Sequence, residues 1–153
     1  MRIKGVPFGT EIKGFEQELP GLAPKPGDGS IIVIIATDAP LLPWQLSKLC
    51  KRVSLGIGSL GAGCQNGSGD ICLAFSTANP EAFSANTVTI EMLSDEEIDP
   101  FYRAVAQAVE EEILNAIVAA KTMEGRNRNK VYGIPHDQVK AILEKYKILF
   151  KQG

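Results

Sequence analysis

Histidine occurs once, at His136, and cysteine three times, at Cys50, Cys64 and Cys72. No two cysteines have CxxC spacing, and a single imidazole does not complete a zinc site, so neither a structural metal nor a disulfide framework is expected. Long apolar runs are also missing. The longest, Ile31 to Ala36, falls far short of the ~20 residues that cross a bilayer, and the opening MRIKGVPFGTEI lacks the apolar stretch of a signal peptide. A basic excess is absent too: 16 Lys and Arg against 18 Asp and Glu leave a formal charge of -2. Nothing in that balance concentrates nucleic acid or anionic lipid. These absences lead to the expectation of a protein of the reducing cytoplasm, without nucleic-acid or membrane partners, cofactor or metal.

What is present is an ordinary globular composition, 44% hydrophobic and 22% charged over 153 residues. A chain of this length makes one domain and buries about 68–70% of its unfolded surface without staples. Four of the nine prolines (Pro7, Pro20, Pro24, Pro26) and six glycines fall in residues 1–29, which reads as a short extended piece followed by a flexible loop. At Ser30 the character changes to Ile31-Ile32-Val33-Ile34-Ile35-Ala36-Thr37, a β-branched run without polar alternation that suits a strand covered on both faces. Pro43 then opens a helix to about Leu55, with Leu46, Leu49, Cys50 and Val53 at three- and four-residue steps. A loop with six glycines follows, Gly56 to Gly69. Residues 70–77 and 87–93 read as two strands, and their proximity favours a hairpin-like pairing. Pro100 begins the main packing helix, with Phe101, Val105, Val109, Ile113, Ala116 and Ala120 on one face. After a basic, polar break at 125–129, Pro135 and His136 open a last helix whose apolar face includes Val139, Ile142, Leu143, Tyr146 and Leu149.

Three places could carry chemistry. Gly56-Ile57-Gly58-Ser59-Leu60-Gly61 spells GxGxxG, but a dinucleotide site needs those glycines between a strand and the helix after it. Here a helix precedes and a strand follows, and no ribose-binding acid lies at the expected distance, so a helix C-cap and connecting loop fits better. Gly29-Ser30 opens the apolar run. Its hydroxyl is either a turn residue satisfying a loop amide or an N-terminal nucleophile. In the second case, cleavage between Gly29 and Ser30 frees an α-amine of pKa ~7.7–8.0, a base at neutral pH beside its own hydroxyl. Gly29 accepts the dihedrals that would expose its carbonyl to Ser30 Oγ for an N-to-O acyl shift. Ser68 and Asp70, two apart in extended backbone, face one side and form either a relay or a turn entering a strand.

Taken together, GDGSIIVIIATDAPLLPWQL, NGSGDICLAFSTANP and VEEEILNAIVAA, in that order, with RIKGVPFG near the start, resemble the family of L-aminopeptidase D-amidase/D-esterase and β-peptidyl aminopeptidase. The resemblance implies an α+β fold, the β-subunit part of an αββα sandwich similar to N-terminal nucleophile hydrolases, covering the C-terminal part of a family precursor. It implies self-cleavage between Gly29 and Ser30, residues 1–29 as the α-chain tail with its processing loop, and 30–153 as the β-subunit-like catalytic portion. Carried over, Ser30 is the nucleophile and Ser68 and Asp70 its polar partners, with Asp70 standing where relatives place the longer Glu. The oxyanion-hole asparagine and the acid that holds the substrate amine lie upstream of the matched part. The implied function is a cytoplasmic serine aminopeptidase or amidase acting on amino-acid amides, esters or short peptides. Its expected partners are the α-chain region and further copies in a homo-oligomer. The contrasting expectation is a catalytically silent structural or assembly module.

Overall fold

The computed structural model describes residues 1–14, 29–62, 66–67, 69–84 and 87–148. The loop expected before Gly29 falls largely outside them, as do Ser68, Cys64 and Leu149. In chain order the elements are α1 (Phe8–Glu11), β1 (Ile32–Thr37), α2 (Pro43–Cys50), α3 (Val53–Ser59), β2 (Ile71–Ser76), α4 (Asp99–Ala119), β3 (Met123–Glu124), β4 (Lys130–Val131) and α5 (His136–Lys145). The fold is α+β.

The β-branched residues of β1 form a strand because their stiff side chains suit a pleated surface. β1 pairs with β2 in parallel, Ile32 opposite Ile71 through Thr37 opposite Ser76. Parallel neighbours need a crossover, which α2 and α3 supply. The hairpin expected between residues 70–77 and 87–93 therefore does not form, and 87–93 is not a strand. Its backbone is held otherwise: the Glu91 N–H donates to Asn79 Oδ1 at 2.8 Å, Asn79 Nδ2 donates to the Glu91 carbonyl at 3.0 Å, and the Leu93 N–H donates to the Pro40 carbonyl at 2.8 Å. Nearness in sequence was a poor guide, because an apolar run such as β1 favours a parallel partner reached over helices.

Pro43 occupies the first turn of α2, where its missing N–H costs nothing. Gln45, fully buried, accepts from the Leu42 N–H at 3.0 Å and donates to the Leu93 carbonyl and Asp95 Oδ1, both at 2.8 Å. A buried amide is tolerated because its polar atoms are engaged. The helix expected as one piece breaks at Lys51–Arg52 and resumes as α3, which places Gly56 and Gly58 inside a helix rather than in a loop. Gly56 is required there: a Cβ would stand 2.5 Å from the Ala106 carbonyl oxygen and 2.9 Å from Val109 Cβ. The first of the GxGxxG glycines thus serves the close packing of α3 on α4.

The main core gathers Leu41, Leu49, Val53, Ile98, Val105 and Val109, with Val33, Ile35 and Cys72 from the sheet. A second, separate cluster joins Val6 and Phe8 to Ile142. The helices cover one face of the β1–β2 pair only; exposure alternates along both strands, and Ile32 and Leu73 on the other face are 71% and 57% exposed. The expectation of a strand covered on both faces is met on one. None of the described helices is long and apolar enough to cross a membrane.

Candidate active site

The parallel register sets the site. Extended two residues back from Ile32 and Ile71, it brings Ser30 opposite Gly69, and the Ile71 N–H donates to the Ile31 carbonyl at 3.0 Å. Ser30 lies exposed at this end of the sheet, just before β1. The Gly69 N–H donates to Ser30 Oγ at 3.0 Å. An amide donor on a hydroxyl oxygen has two effects. It fixes the direction of the lone pairs, and it stabilises negative charge as the oxygen loses its proton. Because Oγ accepts this bond, its own proton remains available to a base.

Gly29, the residue before the hydroxyl, is also exposed, and a Cβ built on it meets nothing within 4 Å. Gly29 and Ser30 are thus both exposed at this end of the sheet. Asp70 begins the approach to β2 and lines a small cavity of about 130 Å³ with Cys50, Val53, Ile57 and Cys72. Gly29, Ser30, Gly69 and Asp70 thus lie at one end of two adjacent strands, while Ser68, also expected at the site, lies outside the described residues. Below Asp70 the Cys72 thiol is pushed up to about 12, first by burial and then by its hydrogen bond with Cys50. A thiol so disposed is a packing group, since the thiolate is the reactive form.

Gly69 was missed as a functional residue, because an amide has no signature among side chains. The available signal was a repeated arrangement: Gly-Asp-Gly-Ser precedes the first apolar run and Gly-Ser-Gly-Asp the second. The described ends of these segments, Ser30 and Gly69, lie opposite each other ahead of the parallel strands.

The comparisons with known proteins bear on the same region. β-Peptidyl aminopeptidase BapA of Sphingosinicella microcystinivorans is 42% identical over 97% of this chain and 40% of its own length. BapA of Sphingosinicella xenopeptidilytica is 41% identical over 94% of this chain and 38% of its own. The chain therefore spans about 40% of the length of these curated relatives. Among solved structures, L-aminopeptidase D-Ala-esterase/amidase from Ochrobactrum anthropi, a prototype for the serine aminopeptidases and a variant of the Ntn hydrolase fold, matches 97% of this chain. It does so at 40% identity with a TM-score of 0.81, over 40% of its own length. A protein from Pyrococcus horikoshii OT3 matches 93% of this chain and 38% of its own at 42% identity, with a TM-score of 0.78. The model of peptidase family S58 matches residues 1–131, a stretch that holds Ser30 and both strands of the β1–β2 pair, and the chain belongs to that family.

Proposed function

We propose that this chain is the nucleophile-bearing portion of a self-processing serine aminopeptidase or amidase. The observation that carries the proposal is Ser30 Oγ, exposed at the end of β1, directly after Gly29, with an amide donor aimed at it. Processing begins when Oγ attacks the Gly29 carbonyl carbon. The Gly29–Ser30 C–N bond breaks, an ester forms at Oγ, and the hydroxyl proton ends on the released Ser30 amine. Water then hydrolyses the ester, leaving a Gly29 carboxylate and a Ser30 with both hydroxyl and α-amine. In this division residues 1–29 end the α chain and 30–153 form the β-subunit-like part.

Hydrolysis of substrate reuses the same atoms. Ser30 Oγ attacks the carbonyl of an N-terminal residue while the Ser30 amine, with a pKa near ~7.7–8.0, takes the proton and passes it to the leaving amine. Water releases the acyl group. Asp70 and Ser68 are proposed to hold the amine's charge and orientation, and the Gly69 amide to steady the attacking oxygen. Substrates are proposed to be amino-acid amides, esters or short peptides, in keeping with the names of the relatives.

The remaining length of the relatives is proposed to supply the oxyanion donors and the pocket for the substrate ammonium. Its second sheet would lie on the open face of β1–β2, completing an αββα sandwich. Removing one oxyanion donor lowers kcat by about 10²–10³, so the 153-residue chain alone is expected to hydrolyse aminoacyl anilides negligibly. Homo-oligomerisation belongs to the same reading, and sedimentation of the protein at the relatives' length checks it.

The deciding experiment is Ser30→Ala in a protein of the relatives' length, read by intact mass and an aminoacyl-anilide assay. Two fragments and activity are expected for the parent, one uncut chain and no activity for the variant. An active Ser30→Ala enzyme sinks the proposal. A parent that is neither cut nor active favours a silent assembly module instead.

A further inference from the structure

A cut between Gly29 and Ser30 would leave residues 1–29 without a covalent link to the strand they precede. Yet the first 14 residues are fastened to α5 by contacts that span 125 to 135 positions of sequence. Gln138 grips the backbone of Lys13 with both ends of its amide: Oε1 accepts from the Lys13 N–H at 3.2 Å, and Nε2 donates to the Lys13 carbonyl at 3.1 Å. Glu11, at the end of α1, accepts from Lys145 Nζ at 2.8 Å and from the Tyr146 hydroxyl at 2.9 Å. Beneath these bonds Val6 and Phe8 pack on Ile142, with Ile3, Ile12, Val139, Leu143 and Ile148 around them.

This cluster is distinct from the main core. It does not stiffen the sheet or line the site at Ser30. Its apolar part is shared between the two sides of the proposed cut, with Phe8 fully buried on one side and Ile142 buried on the other. The family model ends at residue 131, so α5 lies beyond the stretch that it describes. One further bond, from the Arg2 N–H to the Leu60 carbonyl at 2.7 Å, ties the tail to the end of α3.

We propose that α5 is a clasp: an interaction surface for the α-chain tail, retaining residues 1–14 on the β-subunit-like part once the chain is cut. The proposal rests on the cut assigned above, but it is tested without it. A protease recognition sequence flanked by Gly-Ser linkers is inserted between Pro24 and Lys25 of the full chain. Cleavage by the added protease then replaces self-processing. Native mass spectrometry and size-exclusion chromatography read how much N-terminal fragment stays bound.

The unsubstituted chain is expected to keep its fragment through chromatography. Gln138→Ala removes a two-point backbone grip at a half-buried position and is expected to speed fragment release about fivefold; Ile142→Asp, which places a charge in the cluster, at least tenfold. Circular dichroism on the uncut proteins establishes that each variant is folded, and if Ile142→Asp is not, Gln138→Ala decides. Release of the fragment from the unsubstituted chain, or equal retention in folded Gln138→Ala, overturns the clasp. Failure of self-processing is a separate result, visible as a single intact mass before protease is added.

Discussion

The two faces of the β1–β2 pair are built from the same kinds of residue and have opposite surroundings. Val33, Ile35 and Cys72 pack against the core under the helices, while their neighbours Ile32, Ile34, Ile71, Leu73 and Phe75 are exposed. Alternating sheet positions face opposite sides, so a strand that is apolar at every position has something to bury on both. One side finds its cover within the chain. The other leaves its large apolar side chains exposed together, the kind of patch that interaction surfaces carry. The contrast separates the face that this chain covers by itself from the face that it leaves open. It also places Ser30 at the boundary, at the end of the sheet where covered and open faces meet.

The largest break in that contrast is expected on the covered side, at Gly56. A Cβ there collides with backbone, the Ala106 carbonyl oxygen at 2.5 Å, as well as with the Val109 side chain. Neither a helix carbonyl nor a buried β-branched residue moves aside easily, so Gly56→Ala is expected to cost about 3 kcal/mol, the upper part of the range for overpacking. Urea denaturation measures it. A variant as stable as the parent would mean that α3 slides freely on α4. Gly58, whose added Cβ meets nothing, is the matched control; Gly58→Ala is expected to be neutral or slightly stabilising through helix propensity.

Next in size is a comparison of adjacent isoleucines. Ile35 packs on the core and Ile34 is 64% exposed. Ile35→Ala is expected to cost about 2 kcal/mol, at the low end for truncating an aliphatic residue because the site is partly buried. Ile34→Ala in the 153-residue chain is expected to stay within about 0.5 kcal/mol. In a protein of the relatives' length the two values are expected to converge as the open face becomes covered. Ile34→Ala remaining neutral there would show that the second sheet does not lie on this face.

Much of this arrangement was legible before any coordinates. The β-branched run of β1, the helix begun by Pro43, the long amphipathic α4 and the last helix all follow from local patterns, and the motif around Ser30 carried the family resemblance. What local patterns could not supply was partnership. β1 and β2 pair residues that are 39 positions apart, and no side chain advertises that register. The Gly69 amide on Ser30 was invisible for the same reason, and so was the placement of residues 87–93 by Asn79. Gly56 shows the converse error: its letter signals a loop, but in a helix it signals a close neighbour.

A smaller effect concerns the covered face alone. Cys72 points toward the helices beside Cys50, and its thiol is raised to about 12 by burial and by that hydrogen bond. At pH 8 a thiol so raised is held in its unreactive protonated form, whereas a free cysteine of pKa about 8.5 is partly thiolate. Cys72 is therefore expected to resist iodoacetamide in the folded chain and to react after denaturation, as peptide mass mapping would reveal. Alkylation of Cys72 at the rate of a model thiol would show that this edge of the sheet opens.

The smallest expected effect lies away from the sheet, in the exposed polar part of the clasp. Glu11 is held below the usual carboxylate range chiefly by its hydrogen bond with Lys145 and then by that with Tyr146. Lys145 and Tyr146 are each raised, first by their hydrogen bonds with Glu11. A lowered carboxylate contributes stability above its unfolded pKa of about 4.3, and that contribution is lost as pH falls through the folded value. A raised lysine or tyrosine contributes below its unfolded value of about 10, and the contribution is lost as pH rises through the folded one. The contact is therefore whole between about pH 5 and pH 10 and fades at both ends. Surface pairs of this kind contribute little, and salt screens them, so the test is a difference. The parent is expected to melt slightly above Glu11→Gln at pH 7 in low salt, with the gap closing toward pH 3 and in 1 M salt. A gap that persists at pH 3 would mean that Glu11 acts through packing or through its neutral hydrogen bonds, and the retention of residues 1–14 would then rest on Gln138 and the apolar cluster alone.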